Sequence, residues 1–373
     1  MAAFAKTLVF KMESALDRLL LAGKRRMGRL KDPAIVPYLS YGRENKFIVS
    51  GRVLEGGETI HSQLQDTRWN NFKNSFRRFT TVEMADQNVQ MEFNSIQMHA
   101  TSNSEGYFSF EFDPGPGFNQ QAQWHNVSLS LAGRQTALAP EMKSTLAEVL
   151  TPANDADFGI ISDIDDTILQ TNVLKKAQMV SLTLFKNAHT RLPFEGATEL
   201  YQALQAGPSG NKQNPFFYLS KSMWNLYDML TQFMALNGLP KGPLFLRDLS
   251  WDHHYDRGDG PHHYKQSRID KILSMYPHLP FILIGDSGQG DPEIYHDAAK
   301  RYPGRILAIY IRDVSLDQRD VQVVELANHL REDHELDMVF SEDTRAAFEH
   351  AAKNGFIVPA AGETKDIGSK KPE

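Results

Sequence analysis

Three carboxylates fall within four positions at Asp163-Ile164-Asp165-Asp166, directly after the apolar run 158–162 and just before Thr167. Carboxylates this close repel one another and favour a cation between them. A second apolar run, 281–284, also leads into acid, through Gly285-Asp286-Ser287 with Asp291 shortly after. A third run, 216–219, leads to Ser220, and Lys265 opens a helical stretch ahead of the second. Oxygen-only ligation in a chain without cysteine fits Mg²⁺. Phosphoryl transfer calls for such groups: a nucleophile in line with phosphorus, a metal facing the phosphate oxygens, and a cation or donor for the remaining charge. Aspartate is a competent nucleophile and gives an aspartyl-phosphate. A second carboxylate two residues on can protonate the leaving oxygen and then activate the hydrolytic water. A lone Asp-x-Asp is ordinarily a turn or a helix cap; four such elements in this order are not accounted for that way.

These groups can cooperate only if the segments carrying them end at one edge. The runs 158–162, 216–219, 244–246, 281–284 and 306–311 are near-continuously apolar, as strands buried on both faces are. Helical stretches fall between them, at 197–206, 224–237, 264–276 and 292–302. The alternation predicts a doubly wound α/β domain with a mostly parallel sheet over 158–358, its site at the carboxyl ends of the strands. There is no Walker A loop, Rossmann glycine fingerprint, His-Glu-x-x-His motif or internal repeat.

Asp163-x-Asp165-x-Thr167 after one strand, Ser220 after another, Lys265, and Gly285-Asp286-Ser287 with Asp291 resemble the four motifs of the haloacid dehalogenase superfamily. That resemblance implies Asp163 as nucleophile and Asp165 as general acid and base. It implies Ser220 and Lys265 as phosphate-holding groups, Thr167 as a support of the loop at the substrate, and Mg²⁺ among Asp163, Asp165, Asp286 and Asp291. Longer strings narrow it: Ser162 to Ile168, Tyr218-Leu219-Ser220-Lys221-Ser222-x-Trp224-Asn225, Leu246-Arg247-Asp248, and Asp286-Ser287 with Asp291-Pro292-Glu293. Over roughly 155–335 these are similar to the catalytic domain of the actin-patch-type phosphatidate phosphatases. The resemblance implies cleavage of phosphatidate to diacylglycerol and phosphate, with Lys221, Ser222, Asn225 and Arg247 beside the substrate. Lys221 stands where a small or polar residue is expected; it adds charge at the phosphate or faces solvent. The short insertion 169–192 leaves only a minimal cap and an open site, which suits a membrane-borne substrate.

A length of 373 residues suggests two domains. With 41% hydrophobic and 23% charged residues the chain reads as an ordinary soluble protein. The lack of cysteine excludes disulfides, thiolate metal sites and cysteine nucleophiles, and a net charge of −6 gives no general attraction to nucleic acid. No apolar run reaches the ~18 residues needed to span a bilayer. Lys11, Glu13 and Asp17 interrupt the first apolar stretch, so no signal peptide is expected. The expected location is cytoplasmic, with peripheral contact to membranes as the alternative. Residues 1–32 read as an amphipathic helix with a basic end at Lys24, Arg25, Arg26 and Arg29. Such a helix lies on an anionic membrane or packs on its own protein. Over 33–133 the period becomes two, in Phe47, Val49 and Val53, in Phe108, Phe110 and Phe112, and in Val127, Leu129 and Leu131. This predicts a small antiparallel β-sandwich of unknown partner. Within it, 64–80 has helical spacing, with Trp69, Phe72, Phe76 and Phe79 on one face among basic residues. Residues 134–157 read as a connector and 359–373 as a disordered tail. The loop from Arg247 to His263 holds two histidine pairs and reads as an anion-binding rim or an exposed turn. The expected function is a Mg²⁺-dependent phosphatase with phosphatidate as first substrate. The alternatives are a soluble sugar phosphate, nucleotide or phosphoprotein as substrate, or a non-catalytic adaptor built on the β domain.

Overall fold

The structure is a computed structural model and describes residues 32–56, 83–115, 118, 122–132, 144–165, 195–210, 212–247, 261–288, 290–314 and 317–358. The expectations placed on 1–31, 64–80, Asp166, Thr167, 169–192, 248–260 and the tail lie outside these residues. So do those placed on the side chains of Asn225 and Arg247. The described residues divide into two compact units, one up to 118 and over 124–149, the other over 119–123 and from 150 onward.

The first unit holds strands β1 (Pro33–Pro37), β2 (Ser40–Arg43), β3 (Lys46–Glu55), β4 (Asn88–Phe93), β5 (Ile96–Thr101), β6 (Tyr107–Phe112), β7 (Trp124–Leu131) and β8 (Thr145–Leu150). They form one hydrogen-bonded antiparallel sheet in the order β1-β3-β2-β8-β7-β4-β5, with β6 on the other edge of β3. Period two has its expected consequence: Phe108, Phe110 and Phe112 are buried while Ser109 and Glu111 are exposed. Phe47 anchors the core, with Phe93 at 5.4 Å and Phe112 at 5.7 Å between ring centroids. Tilted and edge-on aromatic pairs of this kind add about 0.5–1.5 kcal/mol each beyond their burial.

The second unit runs β9 (Gly159–Asp163), α1 (Ala197–Ala206), β10 (Phe216–Met223), a 3-10 turn (Trp224–Leu226), α2 (Tyr227–Leu236), β11 (Leu244–Arg247), α3 (Pro261–Met275), β12 (Phe281–Asp286), α4 (Asp291–Arg301), β13 (Ile306–Arg312), α5 (Asp317–His334), β14 (Met338–Ser341) and α6 (Arg345–Lys353). Six parallel strands stand in the order β11-β10-β9-β12-β13-β14. All five strands expected from the apolar runs are present. The sixth, β14, is not among those expected; its apolar run is only Met338-Val339-Phe340, and of these Met338 alone is buried, the pattern of an edge strand. Register sets Ile284, Tyr310 and Val339 in one row, and α1 and α6 cover that row across a small cavity of about 30 Å³.

The strand order dictates where chemistry can occur. The chain builds outward from β9 to β10 and β11, then returns to place β12 on the other side of β9. The crevice beyond the carboxyl ends of β9 and β12 lies at this reversal, where ligands bind in open α/β sheets.

Candidate active site

Residue Asp163 ends β9 and Asp286 ends β12, and register sets Ser162 beside Ile284 and Asp163 beside Leu219. Three buried tyrosines fasten these strand ends. The Tyr201 hydroxyl of α1 lies 2.7 Å from Ser162 Oγ, Tyr264 of α3 donates to the Leu246 carbonyl at 2.8 Å, and Tyr295 of α4 donates to the Ile284 carbonyl at 2.9 Å. Buried carbonyls need such donors. The sequence reading gave these tyrosines no role; their only signal is a hydroxyl on an otherwise apolar helix face.

At the crevice, Asp163, Asp286 and Asp291 each present an oxygen, all within 4.8 Å of one another, and all three side chains are fully buried. Lys265 Nζ, equally buried, sits 2.8 Å from Asp163 Oδ1 and 2.6 Å from Asp291 Oδ1. The Asp286 backbone N–H donates to Asp291 Oδ2 at 3.3 Å, and the Gly288 N–H donates to Asp286 Oδ1 at 2.7 Å. Asp163 Oδ2 and Asp286 Oδ2 accept no hydrogen bond from the described residues. One ammonium against three carboxylates leaves two negative charges without compensation, the charge of a single divalent cation. Burial pushes the Asp163 carboxyl well above the usual range; Lys265 opposes that shift, and Asp291, Asp165 and Asp286 add to it. Burial, with Asp291, pushes Asp286 up to about 7 against the pull of Lys265. Burial alone would lower the Lys265 pKa, yet Asp163 and Asp291 hold it above its ordinary value. Orphaned buried oxygens and an all-carboxylate donor set fit a hard cation such as Mg²⁺.

Asp165 stands apart from this cluster. Its Oδ2 accepts from Ser220 Oγ at 2.7 Å and from the Lys221 N–H at 3.2 Å, and its Oδ1 accepts from Ser222 Oγ at 3.3 Å. The hydroxyls of the last residues of β10 thus hold the second aspartate rather than standing free. Lys221 is partly buried, not a solvent-facing bystander. Burial lowers its pKa, helped by Lys265 and opposed by Asp291, Asp163 and Asp286, so it shares the field of the acid cluster.

The acid loop closes tightly at Gly285, where a Cβ would lie 2.5 Å from Asp291 Oδ2 and 2.8 Å from Tyr295 Cε2. Gly285→Ala must therefore displace Asp291. We expect a loss of about 1–3 kcal/mol from overpacking, read by urea melting. Weaker divalent-cation binding accompanies it; an alanine variant with wild-type melting and cation affinity contradicts this packing.

At the start of α4, Gly290 takes a left-handed conformation (φ 83°) and Asp291 and Glu293 occupy the first turn. Acidic groups are favoured at that end of the helix dipole.

Residues 158–313 match the family described as phosphatidate phosphatase APP1, catalytic domain. This segment is therefore similar to a phosphatidate phosphatase catalytic domain, as its motifs implied. The chain is 34% identical over 164 residues to phosphatidate phosphatase APP1 of Saccharomyces cerevisiae, covering 44% of this chain and 27% of that protein. It is 27% identical over 241 residues to an uncharacterized protein of Schizosaccharomyces pombe, covering 64% of this chain and 37% of that protein. The chain thus spans well under half the length of these curated relatives. A solved carbohydrate acetylesterase of Xanthomonas citri aligns over 82% of this chain and 76% of its own, at 11% identity and a TM-score of 0.27, too low to bear on the fold.

Proposed function

We propose that this chain is a Mg²⁺-dependent phosphomonoesterase of haloacid dehalogenase type, acting through an aspartyl-phosphate on a lipid phosphate, phosphatidate first. The observation that carries the reading is the buried Asp163–Asp286–Asp291 cluster with Lys265 at the β9–β12 crevice. The lipid is supported by the similarity of residues 158–313 to the phosphatidate phosphatase catalytic domain. The basic amphipathic stretch at 1–32 supports a membrane-borne substrate. Among the described residues no helix is long and apolar enough to cross a membrane.

A cation held by Asp163, Asp286 and Asp291 would draw charge from the phosphate oxygens. In this reading an Asp163 oxygen attacks phosphorus, and the bond to the ester oxygen breaks. Asp165 gives its proton to that oxygen, which leaves as the alcohol. Asp165 then takes a proton from water, the water oxygen bonds to phosphorus, and the Asp163–phosphorus bond breaks to release phosphate. Ser220 and Ser222 aim Asp165 for both proton transfers. Lys265 balances charge beside the nucleophile.

Phosphate release from phosphatidate in mixed micelles tests the substrate. Turnover with Mg²⁺ that exceeds turnover of soluble phosphomonoesters is expected. Equal turnover of both would move the substrate to the soluble class, and membrane binding with no phosphate release from either would favour an adaptor. Activity is expected to vanish in excess chelator and return with Mg²⁺; unchanged turnover in chelator sinks the metal reading. Asp165→Asn is expected to slow release by roughly 10²–10⁴-fold. An acid-quenched phosphoenzyme that decays more slowly marks the lost base, and an unchanged rate refutes the role.

A further inference from the structure

The guanidinium of Arg319, on α5, grips both ends of the acid loop. Its Nε donates to the Ser287 carbonyl at 3.1 Å, and its two terminal nitrogens hold the two carboxylate oxygens of Glu293 at 2.6 Å each. Ser287 directly follows Asp286, and Glu293 lies two residues beyond Asp291. Of the two carboxylates that β12 and α4 contribute to the acid cluster, Asp291 lies between these grips and Asp286 immediately precedes the first of them. Ser287 is itself fully buried and fastened on its other atoms. Its N–H donates to the Arg312 carbonyl at 2.9 Å, its hydroxyl donates to Asp313 at 3.2 Å, and that hydroxyl accepts from the Val314 N–H at 3.0 Å. The loop is thus held from β13 and α5, neither of which supplies a carboxylate to the cluster.

We propose that Arg319 is a positioning residue that fixes the separation of Asp286 and Asp291, and so sets the affinity of the site for a divalent cation. This rests on the metal reading given above. A planar fork bound bidentately to a carboxylate is directional in a way an ammonium is not. It removes in advance the freedom that two carboxylates would otherwise lose on closing round a cation. Pure electrostatics predicts the opposite sign: a positive charge beside the acid loop repels a divalent cation, so its removal would tighten binding.

The test uses the full chain, stripped of metal, and Mn²⁺ alone as the probe, with free ion read by electron paramagnetic resonance and no substrate present. Arg319→Gln is expected to raise the Mn²⁺ dissociation constant roughly 10–100-fold, as loss of the groups that orient metal ligands does. Arg319→Lys keeps the charge and loses the fork, and is expected to weaken binding by at least several-fold. Turnover at saturating cation changes far less than the cation concentration needed to reach it. Unchanged or tighter Mn²⁺ binding in either variant overturns the proposal, whatever happens to the melting temperature. If wild type itself binds no Mn²⁺, the metal reading falls and this role falls with it. If wild type binds and both variants bind equally well, only the role of Arg319 falls. Should Arg319→Gln fail to fold, Arg319→Lys decides alone.

Discussion

Replacing Asp163 by asparagine is expected to abolish phosphate release, by roughly 10⁴–10⁶-fold, while making the metal-free protein more stable. The two effects share one cause. Asp163 is fully buried beside Asp286 and Asp291, with one ammonium among the three. Removing an acid from that set relieves a burial penalty that, on the proposed function, serves only the reaction, the usual relation between strained active sites and stability. The gain in excess chelator should be about 1–2 kcal/mol, a few degrees in melting temperature for a unit of this size. Added Mg²⁺ should reverse the ranking, because it stabilises wild type by mass action and the variant much less. Residual turnover near wild type would exclude Asp163 as nucleophile. A variant less stable than wild type in chelator would show that the cluster is not under electrostatic load.

Lys265→Met should damage both folding and activity. Its ammonium is fully buried and makes ion pairs with Asp163 and Asp291 at the heart of the crevice. Removing one partner of a buried pair leaves the other charges unmatched and costs about 3–5 kcal/mol. Here three carboxylates are left together. Urea melting of the metal-free protein should show the whole of that loss, and Mg²⁺ should recover a visible part of it. Lys265→Arg should also destabilise, since a guanidinium has no room in a slot with no exposed surface. If Lys265→Met melts like wild type in chelator, the ion pairs are not what holds the cluster.

The strands carrying the site were legible because burial on both faces writes a strand as an unbroken apolar run. The acids that follow β9 and β12 stand out sharply against such runs. Asp163, Lys265, Asp286 and Asp291, separated widely in sequence, do meet in one buried cluster. The attachment of Asp165 to Ser220 and Ser222 was not legible. It depends on how the chain turns at the end of β10, where register with β11 shifts between Leu219 and Met223. The strand β14 and helices α5 and α6 escaped for another reason. Edge elements bury little: α5 has fully buried apolar residues at Val323 and Leu330 but exposes Val321 and Val324, so its apolar period is blurred. The grip of Arg319 on the acid loop was invisible because Glu293 and Ser287 lie 26 and 32 positions away, and its one local partner, Gln322, says nothing of them. In the antiparallel unit β3, β6 and β7 declared themselves by period two, whereas the order in which the strands pair is a property of the whole sheet.

The placement of β9 bears on the making of the protein. The strand that bears Asp163 is the first of its sheet to be synthesised yet keeps one open edge, since β12 is laid beside it only after β10 and β11 are complete. Until then one edge of a strand destined to be wholly buried has no partner, and open edges of this kind invite pairing with another chain. Closure by β12 covers that edge and delivers Asp286 in the same event. A ribosome-bound intermediate would therefore own Asp163 without the rest of the acid cluster, and the completed cluster would arrive together with protection from aggregation.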